Sequence, residues 1–103
     1  GETAMKSIKK FELIDHGIEH EQYFRGCGLS FTEYDAIATG CGNNPAEAID
    51  DALEGLAQQD WETEGMEARI IEQELAGMSR IPTAPCVPND ADDCYYYASI
   101  RVK

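Results

Sequence analysis

The sequence predicts an α+β domain: an antiparallel sheet of about four strands, in the order β-β-β-α-(α)-β, with helices on one face. Three observations lead to this class. Apolar and polar residues alternate in segments near both ends of the chain, as they do in half-buried strands. A segment with strong helix-capping signals lies between those segments. The length of 103 residues suits one domain with one modest core.

The first half of the sequence holds the segments expected to form three strands. They are 6–15, 21–31 and 34–42, each with apolar residues at alternating positions. The connection between the second and third segments is short, so those two strands are expected to pair antiparallel. Glycines in this region indicate bulges, or places where another element lies close to the sheet. These glycines are Gly26, Gly28, Gly40 and Gly42.

The clearest local signal is the start of a helix expected over 44–58. Asn44 is a favoured N-cap, Pro45 fits the first helical position, and Glu47 can accept a backbone hydrogen bond at the cap. Helical periodicity then places apolar and acidic residues on opposite sides. The apolar side holds Ala48, Ile49, Ala52, Leu53 and Leu56. The acidic side holds Glu47, Asp50, Asp51 and Glu54.

The second half is expected to hold a loop over 60–65, a helix over 66–78 built from strong helix formers, and an irregular stretch over 80–90. That stretch contains three prolines, which exclude regular structure. Alternation over 94–103 predicts the last strand. Its buried face would hold Cys94, Tyr96, Ala98, Ile100 and Val102. Tyr95 and Tyr97 would lie on the other face, against the proline-rich stretch or a partner, which leaves a homodimer open.

The stretch HGIEH, His16–His20, matches the H-x-x-E-H spacing of some zinc peptidases. That motif needs both histidines on one helical face, whereas this segment lies between two predicted strands. We therefore predict a polar turn here, with no metal site, no cofactor and no enzymatic activity. The alternative is a small metal-binding protein or enzyme that uses His16 and His20 or the cysteines. The four cysteines, which form no C-x-x-C pair and are predicted to be free thiols, are Cys27, Cys41, Cys86 and Cys94.

The charge of the chain excludes several kinds of partner. Twenty acidic and eight basic residues give a net charge of −12, which would repel nucleic acid and anionic membranes. Ten of the acidic residues, and no Lys or Arg, lie in residues 26–68. Because no signal peptide is visible and no apolar run approaches the ~20 residues of a membrane span, we predict a cytoplasmic protein with a basic partner. Residues 1–4 resemble a vector remnant, which leaves one domain over 5–103.

The junction Gly42-Asn43-Asn44-Pro45-Ala46-Glu47-Ala48 resembles the strand-to-helix junction of HicB-like antitoxin domains. In that family three strands lead through glycine, a polar cap, often proline, and Glu-Ala into the helix. The resemblance covers roughly residues 8–58 and includes Gly26-Cys27 upstream. It implies a non-enzymatic protein that binds a small basic RNA-cleaving toxin. The family's DNA-binding segment has no counterpart in the last strand, so autoregulation by DNA binding is not expected.

The chain is also similar in general character to small acidic proteins of phages and prophages, including anti-CRISPR and anti-restriction proteins. Some of these block nucleic-acid-binding machines by presenting carboxylates where phosphates should lie. We therefore predict a phage or mobile-element inhibitor that occludes a nucleic-acid-binding site of a host defence protein. The alternative is an antitoxin-like module that neutralises a small basic ribonuclease toxin. The predicted binding residues, with Trp61 as an aromatic anchor, are Glu47, Asp50, Asp51, Glu54, Asp60, Trp61, Glu62, Glu64 and Glu67.

Overall fold

The computed structural model describes residues 5–20, 28–31, 35–75 and 94–103, and it confirms the α+β class. The strands are β1 (Lys6–Ser7), β2 (Phe11–His20), β3 (Gly28–Phe31), β4 (Ala36–Gly42), β5 (Trp61–Glu62) and β6 (Cys94–Val102). The helices are α1 (Pro45–Ala57) and α2 (Met66–Ile70), and α2 continues into a π-helical turn over Ile71–Leu75. The predicted stretch 80–90 and the end of the predicted helix 66–78 lie outside the described residues.

The main sheet has four strands in the order β2-β6-β4-β3, and each neighbouring pair is antiparallel. The last strand of the chain therefore inserts between the first and third predicted strands. β1 and β5 form a separate parallel pair, so the segment predicted as one strand over 6–15 is divided between two sheets. The same pairing corrects the predicted loop at 60–65, because Trp61 and Glu62 take partners in β1.

The prediction of a turn at His16–His20 was wrong, because β2 runs without interruption from Phe11 to His20. The alternation of the sequence breaks at Ile14, which looks like the end of a strand. In the structure Ile14 is instead the extra residue of a β-bulge between Leu13 and Asp15. Because the bulge takes up one residue, Asp15 pairs with Ser99 on β6, and the residues after it continue the strand with regular alternation.

Deleting Ile14 is expected to preserve the fold and to change the free energy of unfolding by less than about 1.5 kcal/mol. The shortened strand would alternate without a bulge, and the remaining residues would keep their partners on β6. Deleting Gly17 would instead turn Ile18 outward and Glu19 toward the core, at an expected cost of about 3 kcal/mol or more. Denaturant unfolding of the two deletion variants checks this, and equal stabilities would contradict the observed register.

The core lies between α1 and the strands β4 and β6. The five apolar positions predicted for the helix are all buried, which confirms that face. Gly40 lies directly beneath the helix, and a Cβ atom there would overlap the carbonyl oxygen of Ala48 and the nitrogen of Ala52. This confirms close approach as the reason for that glycine. The buried apolar residues are Ala36, Ala38, Ala48, Ile49, Ala52, Leu53, Leu56, Trp61, Met66, Ile70, Tyr96, Ala98, Ile100 and Val102.

Candidate protein-binding surfaces

The start of α1 is fixed by the predicted cap residues. The Asn44 side-chain oxygen accepts a hydrogen bond from the Glu47 backbone N–H at 2.9 Å. The Glu47 carboxylate in turn accepts from the backbone N–H of Asn43 at 2.7 Å, one residue before the expected donor. These bonds satisfy two amide groups at the beginning of the helix, and the negative charge of Glu47 is favourable there. Glu47 therefore stabilises the start of α1.

Asp51 also stabilises the fold. Its carboxylate accepts a hydrogen bond from the backbone N–H of Cys41 at 3.0 Å and so ties the middle of α1 to the end of β4. Asp50 and Glu54 differ: both are exposed, and neither forms a hydrogen bond or ion pair with the residues that the structure describes. The acidic side of the helix thus contains two carboxylates engaged in the fold and two that face solvent.

Replacing Asp51 with alanine is expected to lower the free energy of unfolding by about 1–2 kcal/mol, because the Cys41 amide loses a charged acceptor. Asp50→Ala is the matched control, since it removes an adjacent carboxylate that has no partner in the described structure. Its expected effect is below about 0.5 kcal/mol. Urea unfolding of the two variants measures the difference, and similar losses would argue against the Asp51 bond.

The acidic residues concentrate in one continuous part of the chain, residues 43–75, which we call the acidic segment. It comprises α1, β5, α2 and the π-helical turn. The segment contains ten acidic residues and one basic residue, Arg69, and so carries nine of the twelve net negative charges. Asp60, Glu62 and Glu64 are exposed, whereas Glu67 is half-buried. A strong negative potential therefore surrounds the helical side of the molecule.

Trp61 does not lie at the surface as its predicted role of aromatic anchor requires. Its side chain is only 8% exposed and belongs to the core. The short pairing of β5 with β1 turns the ring inward, and the Lys6 ammonium lies 5.5 Å from the ring centroid. The Lys6 amide also donates to the carbonyl oxygen of Asp60 at 2.7 Å. Trp61 and its neighbour Asp60 therefore hold the N-terminal segment against the core. The other predicted binding residues are all acidic and provide the negative charge of this side of the molecule.

The second candidate surface is the open face, the side of the sheet opposite to α1. Its centre is a cross-strand pair in which the hydroxyls of Thr39 and Ser99 lie 2.7 Å apart. At the β2 end, Tyr97 lies across Gly17, and its hydroxyl donates to Asp15 at 3.3 Å. Burial, and then the charge of Asp15, raise the pKa of Tyr97. The open face holds Lys10, Glu12, Asp15, Gly17, Glu19, Ile37, Thr39, Cys41, Tyr95, Tyr97, Ser99, Arg101 and Lys103.

Sequence reasoning did not find this face as a whole, because its members come from three strands that are distant in the chain. The alternation of β6 predicted which face of the sheet holds Tyr95 and Tyr97, but it could not predict which residues of β2 and β4 lie beside them. Arg101 lies 3.0 Å from the Glu12 carboxylate and 3.7 Å from that of Asp35. A shallow groove beside this ion pair is lined by Lys10, Phe11, Glu12, Arg101 and Lys103.

His16 contacts the side chain of Tyr96 in the structure. Its Nδ1 atom lies 2.6 Å from the Tyr96 hydroxyl, and the two rings stack on the helical side of the sheet. Among the described residues, no three His, Cys, Asp or Glu side chains come together to hold a metal ion. Cys41 is a half-buried free thiol, whereas Cys27 and Cys86 lie outside the described residues.

No family model matches the chain, and neither curated proteins nor solved structures show significant similarity to it. The class that the structure defines is therefore an acidic α+β domain. In the part of the chain that the structure describes, no helix combines the length and apolar character needed to cross a membrane.

Proposed function

We propose that this protein is a non-enzymatic binding module whose acidic segment docks on a basic site of a partner protein. The observation that carries the proposal is the segregation of charge, since residues 43–75 hold ten acidic residues and one basic residue. Like charges one helical turn apart cost roughly 0.2–0.5 kcal/mol per pair, and no basic residue in α1 offsets them. Such a surface also accelerates encounter with a basic cleft.

Within the acidic segment, Asp50 and Glu54 are the strongest candidates for direct contact. They lie one turn apart on the exposed side of α1, and neither has a partner among the described residues. Their backbones are separated by about 6 Å along the helix axis. Asp60, Glu62 and Glu64 add exposed charge in the turn that follows. Asp51 and Glu47 add to the negative potential, but their carboxylates accept hydrogen bonds from backbone N–H groups within the fold.

The partner that best matches such a surface is a protein that binds nucleic acid. A cleft built for phosphates presents Lys and Arg, and closely spaced carboxylates satisfy the same groups. The protein would then occlude that cleft, as a phage or mobile-element inhibitor acting on a host defence protein in the host cytoplasm. Direct binding of nucleic acid by the acidic segment is disfavoured, because like charges repel.

Capture from a nuclease-treated bacterial lysate tests this proposal. The immobilised wild type is expected to retain a nucleic-acid-binding protein that a DNA duplex elutes at constant ionic strength. The variant Asp50→Lys/Glu54→Lys should lose that protein. Asp15→Lys/Glu19→Lys is the matched control, because it changes the net charge equally on the other side of the sheet. Retention by the first variant, or loss from both, would contradict a specific role for α1.

Salt dependence provides a second prediction. The affinity for the captured partner is expected to fall at least about tenfold between roughly 50 and 200 mM salt, because exposed charges are screened over about 8–10 Å. Calorimetry or surface plasmon resonance across this range measures the slope. An affinity independent of salt would indicate an apolar interface elsewhere on the molecule.

The antitoxin alternative uses the same surface with a different partner. The order β2-β3-β4-α1 over residues 11–57 is compatible with the strand-strand-strand-helix order of the HicB-like resemblance. In that case the captured protein would be a small basic ribonuclease, and the protein would suppress its RNA cleavage. Mass spectrometry of the eluted partner separates the two proposals, because their molecular identities differ.

A further inference from the structure

We propose that the open face is the interface of a homodimer, in which two copies pack sheet against sheet and their acidic segments point outward. This inference is independent of the proposed function. Among the described residues, α1 and α2 lie on the other side of the sheet, and no described helix or strand packs on the open face. The residues at its centre, Thr39, Cys41 and Ser99, are small, uncharged and half-buried. A neutral centre surrounded by charged residues is typical of protein interfaces.

The charges on the open face are arranged so that the face complements itself. One end, where β2 begins and β6 ends, carries Lys10 and Lys103, which are joined by backbone hydrogen bonds. The other end carries Glu19, which lies on β2 about 30 Å further along the strand than Lys10, whereas Asp15 lies level with Ser99 at the side of the centre. Lys10 and Lys103 are exposed and have no ion-pair partner among the described residues.

A second copy related by a two-fold axis that runs between the two sheets and across the strands has its strands in the opposite direction. With the axis near the Thr39–Ser99 pair, Lys10 of one copy faces Glu19 of the other, and the reverse contact forms at the same time. The two Asp15 carboxylates lie near the axis, where each accepts a hydrogen bond from Tyr97 of its own chain. The packing of two sheets at about −30° accommodates this arrangement.

Repulsion between the two chains also favours this face over the helical side. Nine of the twelve net negative charges belong to the acidic segment, which lies beyond the opposite side of the sheet. Dimerisation through the helices would bring these charges together in one interface. Dimerisation through the open face places the two acidic segments at the outer surfaces, where their charges are separated by both sheets and screened by salt.

Sedimentation equilibrium of the full chain tests the proposal. The wild type is expected to reach twice the chain mass within a range of about 5 μM to 1 mM, and Thr39→Arg should weaken dimerisation by about a hundredfold because each copy buries an unpaired charge. Gln58→Arg, which adds the same residue to an exposed position after α1, is the matched control. Circular dichroism establishes that the variants are folded.

A charge exchange gives a test that does not depend on the central substitution. Lys10→Glu and Glu19→Lys should each weaken the dimer, whereas the double variant should restore it, because the opposite charges again face each other. A wild type that remains monomeric at about 1 mM overturns the proposal, as does a dimer that survives Thr39→Arg or a double variant weaker than both single variants. These readouts need no partner protein, so their failure leaves the proposed function intact.

Discussion

Replacing Gly40 with alanine is expected to destabilise the protein by about 4 kcal/mol or more, which is enough to unfold many domains of this size. The new methyl group would overlap the backbone of α1 at Ala48 and Ala52. Backbone atoms inside a helix cannot rotate away as a side chain can, so the whole helix must lift from β4. That movement would expose apolar residues that the helix and sheet now share.

Gly17→Ala is the matched control for this prediction. It introduces the same methyl group into another strand of the same sheet, where the nearest atoms belong to the Tyr97 ring at 3.3 Å. The ring can swing outward, so the expected change is below about 1 kcal/mol. Thermal and urea unfolding of both variants measure the contrast. A Gly40→Ala protein as stable as Gly17→Ala would contradict the close packing of α1 on β4.

Replacing Trp61 with alanine is expected to lower the free energy of unfolding by about 3–5 kcal/mol, because a large core side chain leaves a cavity. The same change at an exposed binding anchor would reduce affinity and leave stability almost unchanged. The experiment therefore distinguishes the observed core position from the surface role that the sequence suggested. Trp61 is the sole tryptophan, so urea unfolding of this variant is followed by circular dichroism.

Trp61→Phe is the appropriate control. Phenylalanine keeps most of the apolar volume and removes the indole N–H, which is buried and has no hydrogen-bond partner among the described residues. Loss of an unpaired buried donor offsets part of the lost packing, so the expected cost is no more than about 2 kcal/mol. Equal costs for the alanine and phenylalanine variants would show that ring volume is not what Trp61 supplies.

The candidate binding surface was predictable only in part from the sequence. The exposed acids Asp50 and Glu54 follow from helical periodicity, which places them opposite the apolar residues of α1. The same periodicity could not distinguish them from Asp51. Its structural role depends on the backbone of Cys41, ten residues earlier in the chain, lying within 3.0 Å of its carboxylate. Such a contact is set by how the helix rests on the sheet.

The sequence by itself determined the features that arise from neighbouring residues. These are the capped helix, the alternation of the last strand and the concentration of negative charge, since capping, periodicity and composition act over a few residues. Only the tertiary structure decided that β6 lies in the centre of the sheet, that Ile14 is the bulged residue of β2, and that Trp61 is buried. Each of these depends on a partner strand or helix far away in the chain. The pairing energy of such partners, and not local propensity, selects the final register.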